Sequence, residues 1–169
     1  MHQRLPMTIE RYAHSLWPNH LLDAIGAGAA QYGLYLCLAL FCVAWFRSRP
    51  RGAVIPFIVC AALAAGLVYV AGLVHEEPRP FVVLGVAPLI PHGTDNAFPS
   101  DHSAAAAYAA TLALFVDPPV GAAAWLVTVA LGAGRVYCLL HTPLDVVAGW
   151  VIGGVPAAVA VIWWRRVRR

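Results

Sequence analysis

The chain has 169 residues, 61% of them apolar and only 11% charged, with a mean hydropathy of +0.72. Soluble domains carry about 25% charged residues, so this composition excludes a soluble globular domain and implies a membrane protein. The net charge of +3 comes from residues at the edges of apolar runs and gives no reason to expect a nucleic-acid partner.

The first element, over residues 1–22, sets Ile9, Tyr12, Leu16 and Trp17 on one helical face and Glu10, Arg11 and His14 on the other. This predicts a short amphipathic helix lying in the membrane interface, ended by Trp17-Pro18-Asn19. The same stretch lacks the apolar core of a cleavable signal peptide. Five apolar runs follow, at about 23–46, 52–74, 100–116, 120–140 and 143–164. Runs of about 20 residues cross ~30 Å of hydrocarbon, and only helices satisfy their own backbone there. The third is short for a full crossing. The expected fold is therefore all-α: one domain over residues 1–169, a polytopic bundle of about five transmembrane helices plus the interfacial helix. Cys37, Cys42, Cys60 and Cys138 lie within the apolar runs without a C-x-x-C pair and read as small buried hydrophobes.

Arg47, Arg49 and Arg51 follow the first span, and Arg165, Arg166, Arg168 and Arg169 follow the fifth. Alternating spans place both groups on one side, which the positive-inside rule makes cytoplasmic. The connection over residues 75–99 and the turn at His141 then face outward. Three polar clusters share that face: Glu76-Glu77-Pro78-Arg79-Pro80-Phe81, Phe98-Pro99-Ser100-Asp101-His102-Ser103, and Arg135 with His141 and Asp145.

Ionisable groups are expensive at a membrane and need a partner, an aqueous cavity or a task. Thr142-Pro143 supplies a helix start, threonine as N-cap and proline at the first helical position. Asp145 has two readings. It can orient the His141 ring, making the other ring nitrogen a base or nucleophile, or it can complete a capping box with Thr142. Arg79 and Arg135 offer planar donor forks suited to phosphate, and the helix starts at Ser100 and Thr142 add backbone N–H groups. His141 and His102 can divide phosphoryl transfer, one attacking phosphorus and the other protonating the departing oxygen. With arginines, hydroxyls and backbone donors carrying the charge, the chemistry requires neither metal nor other cofactor.

Each residue also has a plainer reading. Arg79 can be a loop cation, Arg135 can snorkel from a span end, and Ser100 and Asp101 are ordinary helix starters. His102, a turn inside a span, is harder to explain as packing. His75 and His92 read as exposed interfacial histidines. Glu76 and Glu77 either hold Arg79 or sit near a headgroup, since carboxylates beside a phosphate site repel it. A zinc site from Asp101, His102, His141 and Asp145 competes, but there is no tight ligand pair and two arginines disfavour a cation. A transporter is the alternative of a different class; it predicts ionisable groups near the midplane of several spans, whereas these cluster at one edge.

Arg79-Pro80, Pro99-Ser100-Asp101-His102 and Arg135-(five residues)-His141-(three residues)-Asp145 resemble the three signature motifs of the type 2 phosphatidic acid phosphatase superfamily. Glu77–Val82, Leu89-Ile90-Pro91-His92 and Asp95–His102 are most similar to its bacitracin-resistance type of undecaprenyl-diphosphate phosphatase. The resemblance implies His141 as nucleophile, Asp145 as its orienting partner and His102 as general acid. Arg79, Ser100 and Arg135 would hold the phosphoryl oxygens, with Asp101 a further candidate contact. It also implies a lipid diphosphate substrate among membrane lipids, at the outer face of a bacterial cytoplasmic membrane. Other lipid phosphates, such as phosphatidylglycerophosphate, phosphatidic acid or lipid A, are the nearest alternatives. Three departures stand out. Asp101 stands where the second motif commonly has glycine. Gly72 takes the place of the broader family's lysine, and Gly134 that of a serine, removing two phosphate donors.

Overall fold

Prolines mark the helix starts. Pro80, Pro118 and Pro143 each open a helix, at positions whose backbone N–H groups have no partner within the helix. The computed structural model describes residues 20–168. It comprises α1 (His20–Ser48), α2 (Val54–Val74), the single-turn α3 (Pro80–Leu84), α4 (Asp101–Val116), α5 (Pro118–Tyr137) and α6 (Pro143–Val167), with no strand among the described residues. The expected all-α membrane bundle is thus what the chain forms. Ile9, Tyr12, Leu16 and Trp17, and with them the expected interfacial helix, lie outside the described residues except for 20–22, which open α1.

Helices α1, α2, α5 and α6 are long and apolar enough to cross a membrane. The other long helix, α4, has 16 residues and spans only about 24 Å at 1.5 Å per residue. Its surroundings set it apart from the other long helices. Helix α4 packs against α1, α5 and α6, and Ala104, Ala106, Ala107, Ala109, Ala110 and Ala113 are all buried. Its neighbours, not lipid, cover most of it. Gly149 and Gly153 of α6 allow the closest approach: a Cβ on either would strike the carbonyls of Ser100 and Ala104. Small residues four apart let membrane helices pack backbone to backbone. Helix α2 packs mainly on α6, and α1 and α2 do not pack along one another.

The two ends of the bundle have different chemistry. At one end Arg47 Nε donates to Asp117 Oδ2 at 2.7 Å, the Ser48 hydroxyl donates to the Val116 carbonyl, and Trp164 Nε1 donates to the Arg51 carbonyl. Phe57 sits edge-on between Trp45 and Trp164, with ring centroids 6.0 Å apart on each side. At the other end the 75–100 connection meets the α5–α6 turn. The Phe81 N–H donates to the Leu139 carbonyl, and the Ser100 N–H donates to the Asp145 carbonyl.

One boundary needs correction. The fourth span, expected to reach residue 140, stops at Tyr137. The Leu139 N–H donates to the Val136 carbonyl and the Leu140 N–H to the Arg135 carbonyl, the paired bonds of a Schellman ending. Leu139 takes the left-handed position with φ 60°, a place usually given to glycine.

Candidate active site

Asn96 organises the site from behind. Its Oδ1 accepts from the backbone N–H groups of Glu77 and Phe98, and its Nδ2 donates to the carbonyls of Gly72 and His75. The Ala97 N–H donates to the Glu77 carbonyl. These bonds tie the loop to the end of α2, leaving the Ala97 carbonyl to face inward. His141 Nδ1 lies 2.8 Å from that carbonyl, so Nδ1 carries the proton and donates.

The other ring nitrogen meets two cations. Arg79 Nη1 lies 3.3 Å from His141 Nε2, and Arg135 Nη2 lies 3.1 Å from the same atom. A guanidinium only donates, so Nε2 holds its lone pair in both contacts. His141 is therefore neutral, with an unprotonated Nε2 directed at two arginines. Its pKa is pushed down to about 3 by burial first, then by the charges of Arg135 and Arg79. The bond to Ala97 and the charge of Asp101 oppose this only in part.

Both arginines are buried, Arg79 3% and Arg135 2% exposed. Arg79 also donates to the carbonyls of Leu140 and Asn96 and to Asp95 Oδ2 at 3.0 Å. That contact holds the Asp95 carboxyl below its ordinary range, with the Arg79 hydrogen bond as the main cause. The Nε atoms of both arginines are buried without a hydrogen-bond partner. Buried donors and charges without partners are costly, so they mark a place built for an anion. A cleft of about 430 Å³ opens onto Arg79, Asp95, Asp101 and His141, with Tyr69, Gly72 and Glu76 on its α2 side.

Of the seven residues singled out from the sequence, Arg79, Arg135 and His141 meet directly. Asp145 lies behind them and forms the capping box: its Oδ2 accepts from the Thr142 N–H at 2.7 Å, and Thr142 Oγ1 accepts from the Asp145 N–H. The same Oδ2 is 3.7 Å from His141 Nδ1, beyond hydrogen-bond length. The hydrogen bond that fixes the ring comes from Ala97, not Asp145. Ser100 is fully buried, and its Oγ caps α4 by accepting from the Ser103 N–H. Asp101 lines the cleft and also binds the neighbouring histidine, its Oδ1 being 2.9 Å from His102 Nδ1. That carboxylate–imidazole contact was expected at Asp145 and His141. The carboxylate on Arg79 is Asp95, a place that one of the two readings of Glu76 and Glu77 gave to them.

Two contributors escaped sequence reasoning. Asp95 is one, and His92 the other: far from being a free interfacial residue, His92 places Nε2 3.2 Å from Arg135 Nη2. Their one signal was the likeness of Leu89–His92 and Asp95–His102 to a phosphatase subfamily. Among the described residues no group of three or more His, Cys, Asp or Glu side chains is placed to hold a metal ion.

The model of the PAP2 superfamily matches residues 53–169, the part of the chain that carries all three clusters. The chain belongs to the PAP2 superfamily. Undecaprenyl-diphosphatase BcrC of Bacillus subtilis is 30% identical over 136 residues, 79% of this chain and 70% of the relative. A Bacillus licheniformis protein named bacitracin transport permease protein BcrC is 33% identical over 148 residues, 85% of this chain and 71% of its own. The crystal structure of Aquifex aeolicus LpxE superposes with a TM-score of 0.70 at 27% identity, covering 95% of this chain and 96% of that one. This PAP2 protein is a multi-pass membrane phosphatase.

The glycines at two PAP2 donor positions have packing explanations. A Cβ on Gly72 would lie 3.3 Å from the Phe98 carbonyl oxygen, tighter than ordinary contact. A Cβ on Gly134 would meet the Gly26 carbonyl oxygen at 2.6 Å and the Ala30 nitrogen at 2.8 Å. Gly72 thus permits a close loop and Gly134 a close helix pair.

Proposed function

We propose that this PAP2 phosphatase hydrolyses undecaprenyl diphosphate to undecaprenyl phosphate and phosphate at the outer face of a bacterial cytoplasmic membrane. One observation carries the reading: two buried guanidiniums converge on the lone-pair nitrogen of a neutral histidine. His141 Nε2 attacks the terminal phosphorus as the bond from phosphorus to the bridging oxygen breaks. The bond's electron pair leaves with that oxygen, and His102 supplies a proton to it. Water then attacks the phosphohistidine, giving its proton to His102, and phosphate departs with His141 neutral again. Arg79 and Arg135 hold the phosphoryl oxygens, where donors fixed in advance act on developing charge. Asp101 supports His102 as a cation during proton transfer. Asp145 shapes the helix start that presents His141, and Ser100 anchors the end of α4 beside it.

The name of the Bacillus subtilis relative supports the diphosphate, and the two buried arginines at His141, of which Arg79 lines the cleft, suit a polyanionic headgroup. Release of the product on the outer face returns the carrier lipid for cell-wall precursors and counters bacitracin, which sequesters the diphosphate. The test is phosphate release by purified protein in detergent, without nucleotide and with or without chelator. Undecaprenyl diphosphate is compared with phosphatidylglycerophosphate and phosphatidic acid. Faster turnover of the monophosphate lipids overturns the substrate; absence of an acid-labile phosphoryl adduct on His141 overturns the intermediate. No phosphate release from any of them returns the chain to the transport reading.

A further inference from the structure

We propose that His92 is a positioning residue that holds the Arg135 guanidinium in place while His141 is engaged with phosphorus. The geometry begins at Arg135 Nη2, which donates to His141 Nε2 at 3.1 Å and to His92 Nε2 at 3.2 Å. His92 Nδ1 must then carry the ring's proton, and it lies 3.2 Å from the Gly93 carbonyl. His92 thus repeats the arrangement of His141: Nδ1–H toward a loop carbonyl, Nε2 toward Arg135. Its neighbours are charged. Arg135 comes from the last turn of α5, Arg79 from the start of α3, and Asp95 Oδ1 lies 3.9 Å from Nδ1 on the same loop. Burial, with the two guanidinium charges adding to it, lowers the pKa of His92, which favours the neutral acceptor form.

The reaction itself gives this contact its purpose, and here the inference rests on the proposed role of Arg135. When the His141 lone pair bonds to phosphorus, Arg135 loses that acceptor. Its Nε has no partner to compensate. The bond to His92 persists through the step and keeps the guanidinium plane aimed at the phosphoryl oxygens. A displacement of even 1 Å in such a group is costly to rate.

The experiment compares His92→Ala and His92→Gln, alone and with Arg135→Gln, using undecaprenyl diphosphate in detergent. Loss of one hydrogen bond to a charged group predicts that His92→Ala lowers kcat about tenfold, with KM within about twofold. The Gln amide oxygen reaches the place of Nε2, so His92→Gln keeps kcat within about threefold of the parent. In the Arg135→Gln background His92→Ala adds less than about twofold, since the partner it positions is gone. Unchanged kcat in His92→Ala, no recovery in His92→Gln, or a full additive loss in the double variant overturns the proposal. Full turnover by Arg135→Gln alone overturns the role of Arg135 and is read separately from any His92 result.

Discussion

The two ends of this helix bundle treat arginine in opposite ways. At the α1–α2 end Arg47 is 66% exposed, and its Nε donates to Asp117. Its charge has water and a carboxylate. At the other end Arg79 and Arg135 are almost wholly buried, Arg79 has one carboxylate at salt-bridge distance, the exposed Asp95, and both Nε atoms are unpaired. The first arrangement closes a structure and the second leaves one short of an anion. The difference shows where the fold spends stability on function: an uncompensated buried charge persists only when packing elsewhere over-determines the site. Gly149 and Gly153 against α4, and Asn96 across the loop, provide that determination.

The largest test removes the group on which both buried arginines converge. His141→Ala should lower phosphate release by at least about a thousandfold, the scale on which loss of a covalent nucleophile is felt. Its helical circular dichroism should match the parent's. Near-parental turnover by the variant breaks the assignment of the nucleophile.

A second test sets the two ends side by side. Inorganic phosphate at about a hundred times its dissociation constant should stabilise the parent protein by about 2.7 kcal/mol, seen as a raised melting temperature in detergent. Arg79→Gln should lose most of that increment. Asp117→Ala should lower the starting stability by less than about 1 kcal/mol, as for other partly exposed ion pairs, and keep the increment whole. If phosphate stabilises Arg79→Gln as it does the parent, the contrast between the ends is wrong.

Local devices were legible in the sequence, and long-range ones were not. Thr142, Pro143 and Asp145 lie within four residues, so their N-cap, first position and capping box followed from spacing alone. The helix starts at Ser100 and Pro143 were readable for the same reason. The partner of His141 was not, because it is a backbone carbonyl 44 residues away that every residue type carries. Which carbonyl reaches the ring depends on Asn96 tying the loop to α2. His92 and Asp95 looked like ordinary loop residues until that loop folded across the arginines. Gly72 and Gly134 read as missing phosphate donors, whereas a Cβ at Gly134 would collide with α1 and one at Gly72 would sit tightly against the Phe98 carbonyl. The end of α5 was misjudged because Leu139, not glycine, holds the left-handed position.

Proton linkage gives a third, smaller effect. The folded pKa of His141 is about 3 and its ordinary value 6.5. Between these values the unfolded chain binds a proton that the folded one does not, so stability falls as pH drops below about 6.5 and is flat above it. His92, lowered for related reasons, adds to the slope as pH falls below about 6.5. Asp95, also lowered, adds loss only below the ordinary carboxylate range. His141→Gln should therefore flatten the acid side of a melting-temperature profile relative to the parent. Bound phosphate should do the same in the parent, because it offsets the guanidinium charges that disfavour the imidazolium. A parental slope retained in His141→Gln would place the buried proton site elsewhere.

The smallest effect concerns the turn that aims the site. Gly85 and Leu139 both end a helix in the left-handed region, at φ 65° and 60°. Glycine adopts that conformation freely, while a residue with a Cβ is strained there by roughly 1–2 kcal/mol. Leu139 endures the strain because its side chain packs against the cluster that includes Phe81, Val86 and Cys138, and because its carbonyl receives the Phe81 N–H. Leu139→Ala loses the packing and keeps the strain; Leu139→Gly loses the packing and the strain together. The glycine variant should therefore be the more stable of the two by about 1 kcal/mol, the reverse of their order within a helix. The next carbonyl, of Leu140, accepts from Arg79, so both variants report on the turn through activity as well. If Leu139→Gly melts below Leu139→Ala, the strained turn is not what sets the end of α5, and the aim of His141 must come from the Asn96 loop alone.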